Sequence, residues 1–554
     1  MTPGGAGRPA APDGTCPADR RTIGALRPWA EMRAAFEWDV PARLNLAWGC
    51  CDEWAARDPA RRAIVDLSRG RRVWTYGDLK DASDALAARL AAGGVGRGDR
   101  VAVLLPQRAE VLVAHLAAWK LGAVSLPLFA PFGADALAYR LGDSGAAALV
   151  SDGAGLARVA PLDLPDLRVR IDVDAPAGDA PEPVGMADTS AEDPCLMIYT
   201  SGTTGAPKGV LHAHRLLHGH LPCIETAFEG FPVAGDVAWT PADWAWIGGL
   251  MDLAVPSLWF GVPVVARRFA RFDAEAAWDL MLAEGVTCAF LPPTALKLLR
   301  RAPAPSGLRL RAVISGGEAL GADLLGWGRR TLGVPINEIY GQTECNLVLA
   351  ACAGTQEVEP GTLGRAVPGV DVQVQDAAGG EAETGAIGEI CVRGSPAAFL
   401  RYWNKPDATA AKWRNGWLRT GDLGSRAADG SIRFHARDDD VINASGYRIG
   451  PAEIEACLIG HPRVVNAAVV GLPDAARGEA VTAFVVAEGA DAALADALID
   501  RVRARLSPHM VPRAVHFRDA LPMTATGKVM RRALRSGDDA RADPGADCHR
   551  DGER

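Results

Sequence analysis

Residues 195–210, CLMIYTSGTTGAPKGV, constrain this chain more than any other stretch. Leu196, Met197, Ile198 and Tyr199 make an unbroken apolar run of strand length. The chain then breaks into small residues: Thr200, Ser201, Gly202, Thr203, Thr204, Gly205 and Ala206. Pro207, Lys208 and Gly209 close the loop. Glycines allow several backbone N–H groups to converge on one anion, and the hydroxyls and the lysine add donors. A polyphosphate is the natural ligand. The Walker pattern fails, because Pro207 precedes Lys208 where that motif has Gly, and Gly209 follows where it has Ser or Thr. The apolar spacing of Val210, Leu211, Leu216 and Leu217 predicts a helix after the loop.

Elsewhere short apolar runs alternate with segments of helical period. Strands are predicted over 101–105, 123–126, 262–265, 288–291, 312–315 and 336–340. Helices are predicted over 108–121, 275–283, 294–300 and 320–332. This rhythm implies an α/β fold of layered, largely parallel sheets. At 554 residues the chain exceeds what one core serves, so two or more domains are expected. A break falls near 435–440, HARDDD, where three acids follow an arginine and read as a solvated linker. Beyond it, helices over 451–459 and 493–506 and strands over 464–470 and 481–486 suffice for a small α+β domain. Residues 1–28 and 536–554 are poor in large apolar groups and read as disordered tails.

A net charge of −8 without a basic stripe argues against a nucleic-acid partner. No run approaches the ~18 apolar residues of a spanning helix, and the first residues lack an apolar leader, so a cytoplasmic location is expected. Eleven cysteines without a C-x-x-C pair fit reduced thiols.

Further stretches carry polar groups at strand ends or in loops: SGGEA (315–319), EIYGQTE (338–344), RTGDLG (419–424, with Asp422 expected in a tight turn), RDDDVINASGYRIGPAEIE (437–455) and TATGK (524–528). In this order, together with YTSGTTGAPKG, they resemble the adenylate-forming superfamily of acyl-CoA synthetases, peptide-synthetase adenylation domains and luciferases. The likeness covers roughly residues 30–535. The SGYRIGP form and the following HPRVVNAAVVGLPDAARGEAV are most similar to medium-chain acyl-CoA and acetyl-CoA synthetases.

The resemblance implies a two-step reaction, in which a carboxylate and ATP give an acyl-adenylate and pyrophosphate, and coenzyme A then displaces AMP. It implies a large N-terminal ATP- and acyl-binding domain over 29–436, a hinge over 437–440 and a small mobile C-terminal lid domain over 441–535. Thr200 to Lys208 would hold the β- and γ-phosphates. Gly317, Glu318 and Ala319, with Glu338, Ile339, Tyr340, Gly341 and Gln342, would line the adenine side. Thr343 would touch the α-phosphate, and Glu344 would ligate Mg²⁺. Asp422 and Arg437 would hold the ribose, and Arg448 would sit near the AMP phosphate. Lys528 would bridge carboxylate and α-phosphate in the first step. Asp439 matches the hinge position. Ser445, Gly446, Tyr447 and Arg477 would meet coenzyme A.

For the acyl pocket, Trp246 and Gly341 are the candidates. Acetate-specific members of the superfamily carry Trp where Gly341 stands, so an acyl group longer than acetate is expected, with a medium-chain acid favoured. Alternatives are an acetate, propionate or aryl-acid ligase, a stand-alone adenylation enzyme loading a carrier protein, or a silent nucleotide-binding regulator. Lys528 is also a candidate substrate for a protein acyltransferase. Trp239 and Trp244 read as core. His212, His214, His218 and His220 could place two rings on one helix face as metal ligands, but no carboxylate or cysteine completes such a site nearby in sequence, so a solvated or partly packed helix is expected.

Overall fold

A computed structural model describes residues 20–176, 181–200, 206–318, 320–437, 440–444, 447–474, 478–506, 508–524 and 529–536. Two large mixed sheets form the body of the protein. The seven-stranded sheet runs in the order Arg401–Tyr402, Lys208–Ala213, Pro194–Thr200, Val124–Pro127, Arg100–Leu104, Ala148–Ser151 and Val169–Asp172. Its last five strands pair in parallel, and helix Ala109–Lys120 supplies the crossover from Arg100–Leu104 to Val124–Pro127. The nine-stranded sheet is parallel from Ile336–Gln342 through Ala312–Gly316, Cys288–Phe290, Ala238–Trp239 and Val264–Ala266 to Arg62–Asp66. Strands buried on both faces read as continuous apolar runs, which is why AVIS and CAFL were legible.

A third sheet, Asp371–Gln375, Ile387–Arg393, Trp417–Arg426 and Ile432–Arg437, is antiparallel throughout. One apolar core takes residues from Leu46 to Ile432, and a separate core begins at Ile442 and includes Ile454, Val469, Val485, Leu498 and Val502. That second core holds helices Pro451–Ile459 and Ala492–Arg505 on strands Val464–Asp474 and Gly478–Ala487, as the sequence predicts.

Several expectations are corrected. Val210 and Leu211 lie in strand Lys208–Ala213, antiparallel to Pro194–Thr200, and only Leu216 and Leu217 open a helix, Leu216–Ala227. Thr200 and Lys208, the described ends of the phosphate-loop segment, therefore stand directly opposite each other in this antiparallel pair. His435, Ala436 and Arg437 end strand Ile432–Arg437 and are not linker, and Asp440 is mostly buried against Arg531.

Residues 20–28, expected as tail, pack on the body. The Arg20 guanidinium donates to Gly49 O and Trp259 O and pairs with Glu53. Thr22 N, Thr22 Oγ1 and Ile23 N donate to the buried Glu225 carboxylate at 2.7, 2.5 and 3.3 Å.

The four histidines are also corrected. They are 0–5 % exposed, split between the strand (His212), its exit (His214) and the helix (His218, His220). Burial pushes His212 down to about 3 and His214 and His218 down to about 4. A carboxylate does stand nearby in space: His220 Nδ1 lies 3.3 Å from Asp252 Oδ1. Among the described residues no group of three or more His, Cys, Asp or Glu is arranged to hold a metal, and no helix is long and apolar enough to cross a membrane.

Candidate active site

A cleft of about 2110 Å³ opens where the two cores meet. Its walls include Thr200, Lys208, Gly317, Glu318, Glu338 to Glu344, Asp422 and Arg437 from the large domain, and Glu455, Thr524 and Arg531 from the small one. The cleft lies where strands of both large sheets end, the place where α/β sheets bind ligands.

The tip of one hairpin is central. Strands Ile336–Gln342 and Asn346–Ala351 pair antiparallel, and Thr343, Glu344 and Cys345 form the three-residue turn between them. Cys345 N donates to Gln342 O at 3.2 Å, and Asn346 takes the left-handed conformation (φ 56°) that closes such loops. The turn thrusts Glu344 into the cleft while its backbone stays on the sheet. Tyr402 Oη donates to Glu344 Oε1 at 2.6 Å. Among the described residues Oε2 accepts no hydrogen bond.

Asp422 is 4 % exposed. It lies within strand Trp417–Arg426, not in the expected tight turn, although Gly421 beside it is left-handed (φ 74°). Its Oδ2 accepts from Tyr340 Oη at 2.6 Å and Gln342 Nε2 at 2.7 Å, and its Oδ1 pairs with Arg437 at 3.1 Å from the register-opposed position on the next strand. The carboxylate is thus aimed by three partners from two sheets. Glu338 is also buried. Its Oε1 accepts from Leu320 N at 3.2 Å, and burial raises its carboxyl to about 7. Lys208 borders the cleft with its ammonium 5.1 Å from the Tyr402 ring centroid. Tyr139 Oη secures the loop exit by donating to Pro207 O at 2.9 Å.

Trp246 lines the cleft with Ala245, Ile339 and Gly341, and packs on Phe290 at 5.7 Å. Trp239 and Trp244 are wholly buried, as expected of core residues. Gly341 corrects the pocket argument. A Cβ there would lie 1.7 Å from Asn346 O, so backbone closure of the hairpin requires the glycine, and its lack of a side chain says nothing about acyl length.

Ser201, Gly202, Thr203, Thr204, Gly205, Ala319, Asp439, Ser445, Gly446, Arg477 and Lys528 lie outside the described residues. The backbone of Tyr447 and Arg448 lies in strand Tyr447–Ile449. Two groups that the sequence reading missed also belong here. One is Tyr402. The other is Arg531, which donates to both Glu455 oxygens at 2.8 Å and to Asp440 Oδ2 at 3.2 Å.

Comparison with known proteins fits this arrangement. Residues 51–403 match the AMP-binding enzyme family, and residues 453–528 match the AMP-binding enzyme C-terminal domain. The chain is 33 % identical to the mitochondrial acyl-coenzyme A synthetase ACSM4 of Homo sapiens, over 90 % of this chain and 91 % of that one. It is 29 % identical to the acetyl-coenzyme A synthetase of Bacillus subtilis (strain 168), over 92 % and 93 %. Its fold superposes on the anthranilate CoA ligase AuaEII with a TM-score of 0.84 at 25 % identity, covering 90 % of this chain and 98 % of that one. A benzoate CoA ligase from Burkholderia xenovorans LB400 gives 0.78 at 28 % identity, over 89 % and 100 %. The chain therefore belongs to the AMP-binding enzyme family and is an adenylate-forming acid–thiol ligase, an AMP-forming acyl-CoA synthetase.

Proposed function

We propose that this synthetase activates an apolar carboxylic acid larger than acetate, a medium-chain acid, with the residues of the interdomain cleft in distinct roles. The observation that carries the roles is the convergence of Lys208, Glu344, Asp422 and Arg437 on one cleft that the small domain also borders, and the apolar lining by Ala245, Trp246 and Ile339 supports the acid. Thr200 to Lys208 would bind the β- and γ-phosphates and stabilise pyrophosphate as it leaves. Thr343, beside Glu344 at the hairpin tip, would meet the α-phosphate. Asp422, held as an acceptor by Tyr340, Gln342 and Arg437, has the charge and fixed aim to take both ribose hydroxyls. Glu338 with Gly317 and Glu318 would border the adenine. Glu344 fits Mg²⁺, because it offers a hard oxygen donor with Oε1 already oriented and Oε2 facing no described donor. A bound Mg²⁺ would offset polyphosphate charge.

Lys528 would supply the cation at the α-phosphate in the first step, and Asp439 would be the pivot that withdraws it before the thiol arrives. Ser445, Gly446, Tyr447 and Arg477 would then face coenzyme A, and Arg448 the AMP phosphate.

The acyl end is apolar where Trp246, Ala245 and Ile339 border it. The Trp246–Phe290 wall, with the likeness to anthranilate and benzoate CoA ligases, favours an aryl acid as the second reading. A panel of acids from C2 to C12 plus benzoate, scored by CoA-dependent AMP formation, decides between them. Turnover confined to acetate and propionate overturns both. Adenylate that passes to a carrier-protein thiol and not to coenzyme A would instead reassign the second step.

A further inference from the structure

We propose that Tyr402 is a positioning residue that joins the two charged ends of the polyphosphate site, its hydroxyl holding Glu344 and its ring face holding Lys208. The inference rests on the reading of those two residues given above.

Tyr402 comes from a two-residue strand that shares no motif with either partner. That strand, Arg401–Tyr402, pairs with Lys208–Ala213, Tyr402 standing opposite Val210. Leu400 N donates to Leu211 O at 2.8 Å, and Trp403 N donates to Gly209 O at 2.7 Å. The segment is thus stitched to the strand that begins at Lys208. On its other side Phe399 N donates to Glu344 O at 2.8 Å, so the same segment also grips the hairpin tip.

Tyr402 itself is 3 % exposed, with its backbone N–H on Thr409 Oγ1 and its ring edge-on to Phe399 at 5.0 Å. Among the described residues the phenol held in this way donates to Glu344 Oε1, at 2.6 Å. A phenol keeps its proton at neutral pH, and a carboxylate oxygen can only accept, so Tyr402 is the donor of this bond. The Lys208 ammonium sits 5.1 Å from the ring centroid, within cation–π reach. A tyrosine that merely filled the core would need neither contact. Here one rigid ring sets the spacing between a carboxylate suited to a metal and a lysine suited to phosphate before ATP arrives.

The test uses full-length protein with Mn²⁺ as the probe, read by electron paramagnetic resonance in the presence of ATP and without acid, so that no turnover occurs. Tyr402→Phe should weaken Mn²⁺ binding about tenfold and leave metal-free ATP binding unchanged. Tyr402→Leu should also weaken metal-free ATP binding about threefold, because the ring face is lost. In a Glu344→Gln background, Tyr402→Phe should add nothing. Parent-like Mn²⁺ binding by Tyr402→Phe, beside weakened binding by Glu344→Gln, overturns the inference alone. Unchanged binding by Glu344→Gln overturns the metal role of Glu344 and this inference with it. Thermal melting of Tyr402→Phe serves as the check on folding.

Discussion

The two sides of the cleft are built differently. On the large-domain side every aligned group is fixed by backbone pairing: Lys208 and Thr200 across an antiparallel pair, Glu344 at a turn, Asp422 opposite Arg437 in register. On the small-domain side the organising contact is an ion cluster. Arg531 spans Glu455 and Asp440, and these side chains are 22, 13 and 13 % exposed. Glu455 also accepts from Val469 N at 2.9 Å, tying the cluster to the small domain's own core. A strand ladder fixes its groups by a row of backbone bonds, whereas ion pairs near solvent each contribute little to stability. The contrast fits the proposed roles, in which the nucleotide site would be kept through both half-reactions and the second domain would change face between them.

The sharpest way to break this comparison is to separate the half-reactions. Lys528→Ala should lower adenylate formation by at least about a hundredfold. Thioester formation from supplied acyl-adenylate should stay near the parent rate. Equal loss in both, measured by pyrophosphate release and by thioester yield, would remove the division of labour.

Trp246→Ala should come next, changing the ratio of kcat/KM between long and short acids by about tenfold, since a few methylene-sized contacts are involved. A uniform loss across the acid panel would mark Trp246 as structural.

Arg531→Gln probes the ion cluster. It takes the cation from Glu455, which among the described residues keeps only Val469 N, and leaves Asp440 with Arg535, and the expected loss is about 1–2 kcal/mol of local stability after discounting for partial exposure. Hydrogen exchange should quicken over 451–459 and leave the hairpin tip at 342–346 unaltered.

The smallest effect concerns pH and the N-terminal segment. Burial raises the Glu225 carboxyl to about 7, against hydrogen bonds from Thr22 and Ile23 that pull it down. A glutamate ordinarily titrates near 4.5, so the folded form retains a proton that the unfolded chain has lost. Its contribution to stability is full below about 4.5 and lost as pH rises through about 7. Glu225→Gln should flatten the melting temperature between pH 5 and pH 8 by about 2 °C. Glu338, raised to about 7 by burial, leaves a residual slope.

Much of this molecule was legible because its site motifs sit where apolar strands end, and the parallel strands announce themselves as unbroken runs. The strand Lys208–Ala213 was misread because Val210-Leu211 and Leu216-Leu217 mimic a helical repeat across a turn. The histidines misled for the same reason. Tyr402 was invisible, since a two-residue strand has no periodicity and its partners lie 58 and 194 positions away. Arg531 was hidden by its charge, which reads as solvated until a fold supplies Glu455 and Asp440. Arg20 was lost in a composition typical of a tail, although it is 4 % exposed.

The closure at Gly341 also bears on how such an enzyme could change its diet. A bulky side chain at that position would narrow the cleft beside Trp246 and Ile339, yet in this chain Asn346 O occupies the space where the first carbon would go. Asn346 holds its carbonyl there from a left-handed conformation that few residues other than Asn and Gly adopt readily. A substitution at 341 alone therefore meets backbone before it meets substrate. The route from one acid to another by this door requires two coordinated steps, a rebuilt turn at 346 and then a new side chain at 341. Lineages that reach the second residue first would have to displace the Asn346 carbonyl at the centre of their own active site.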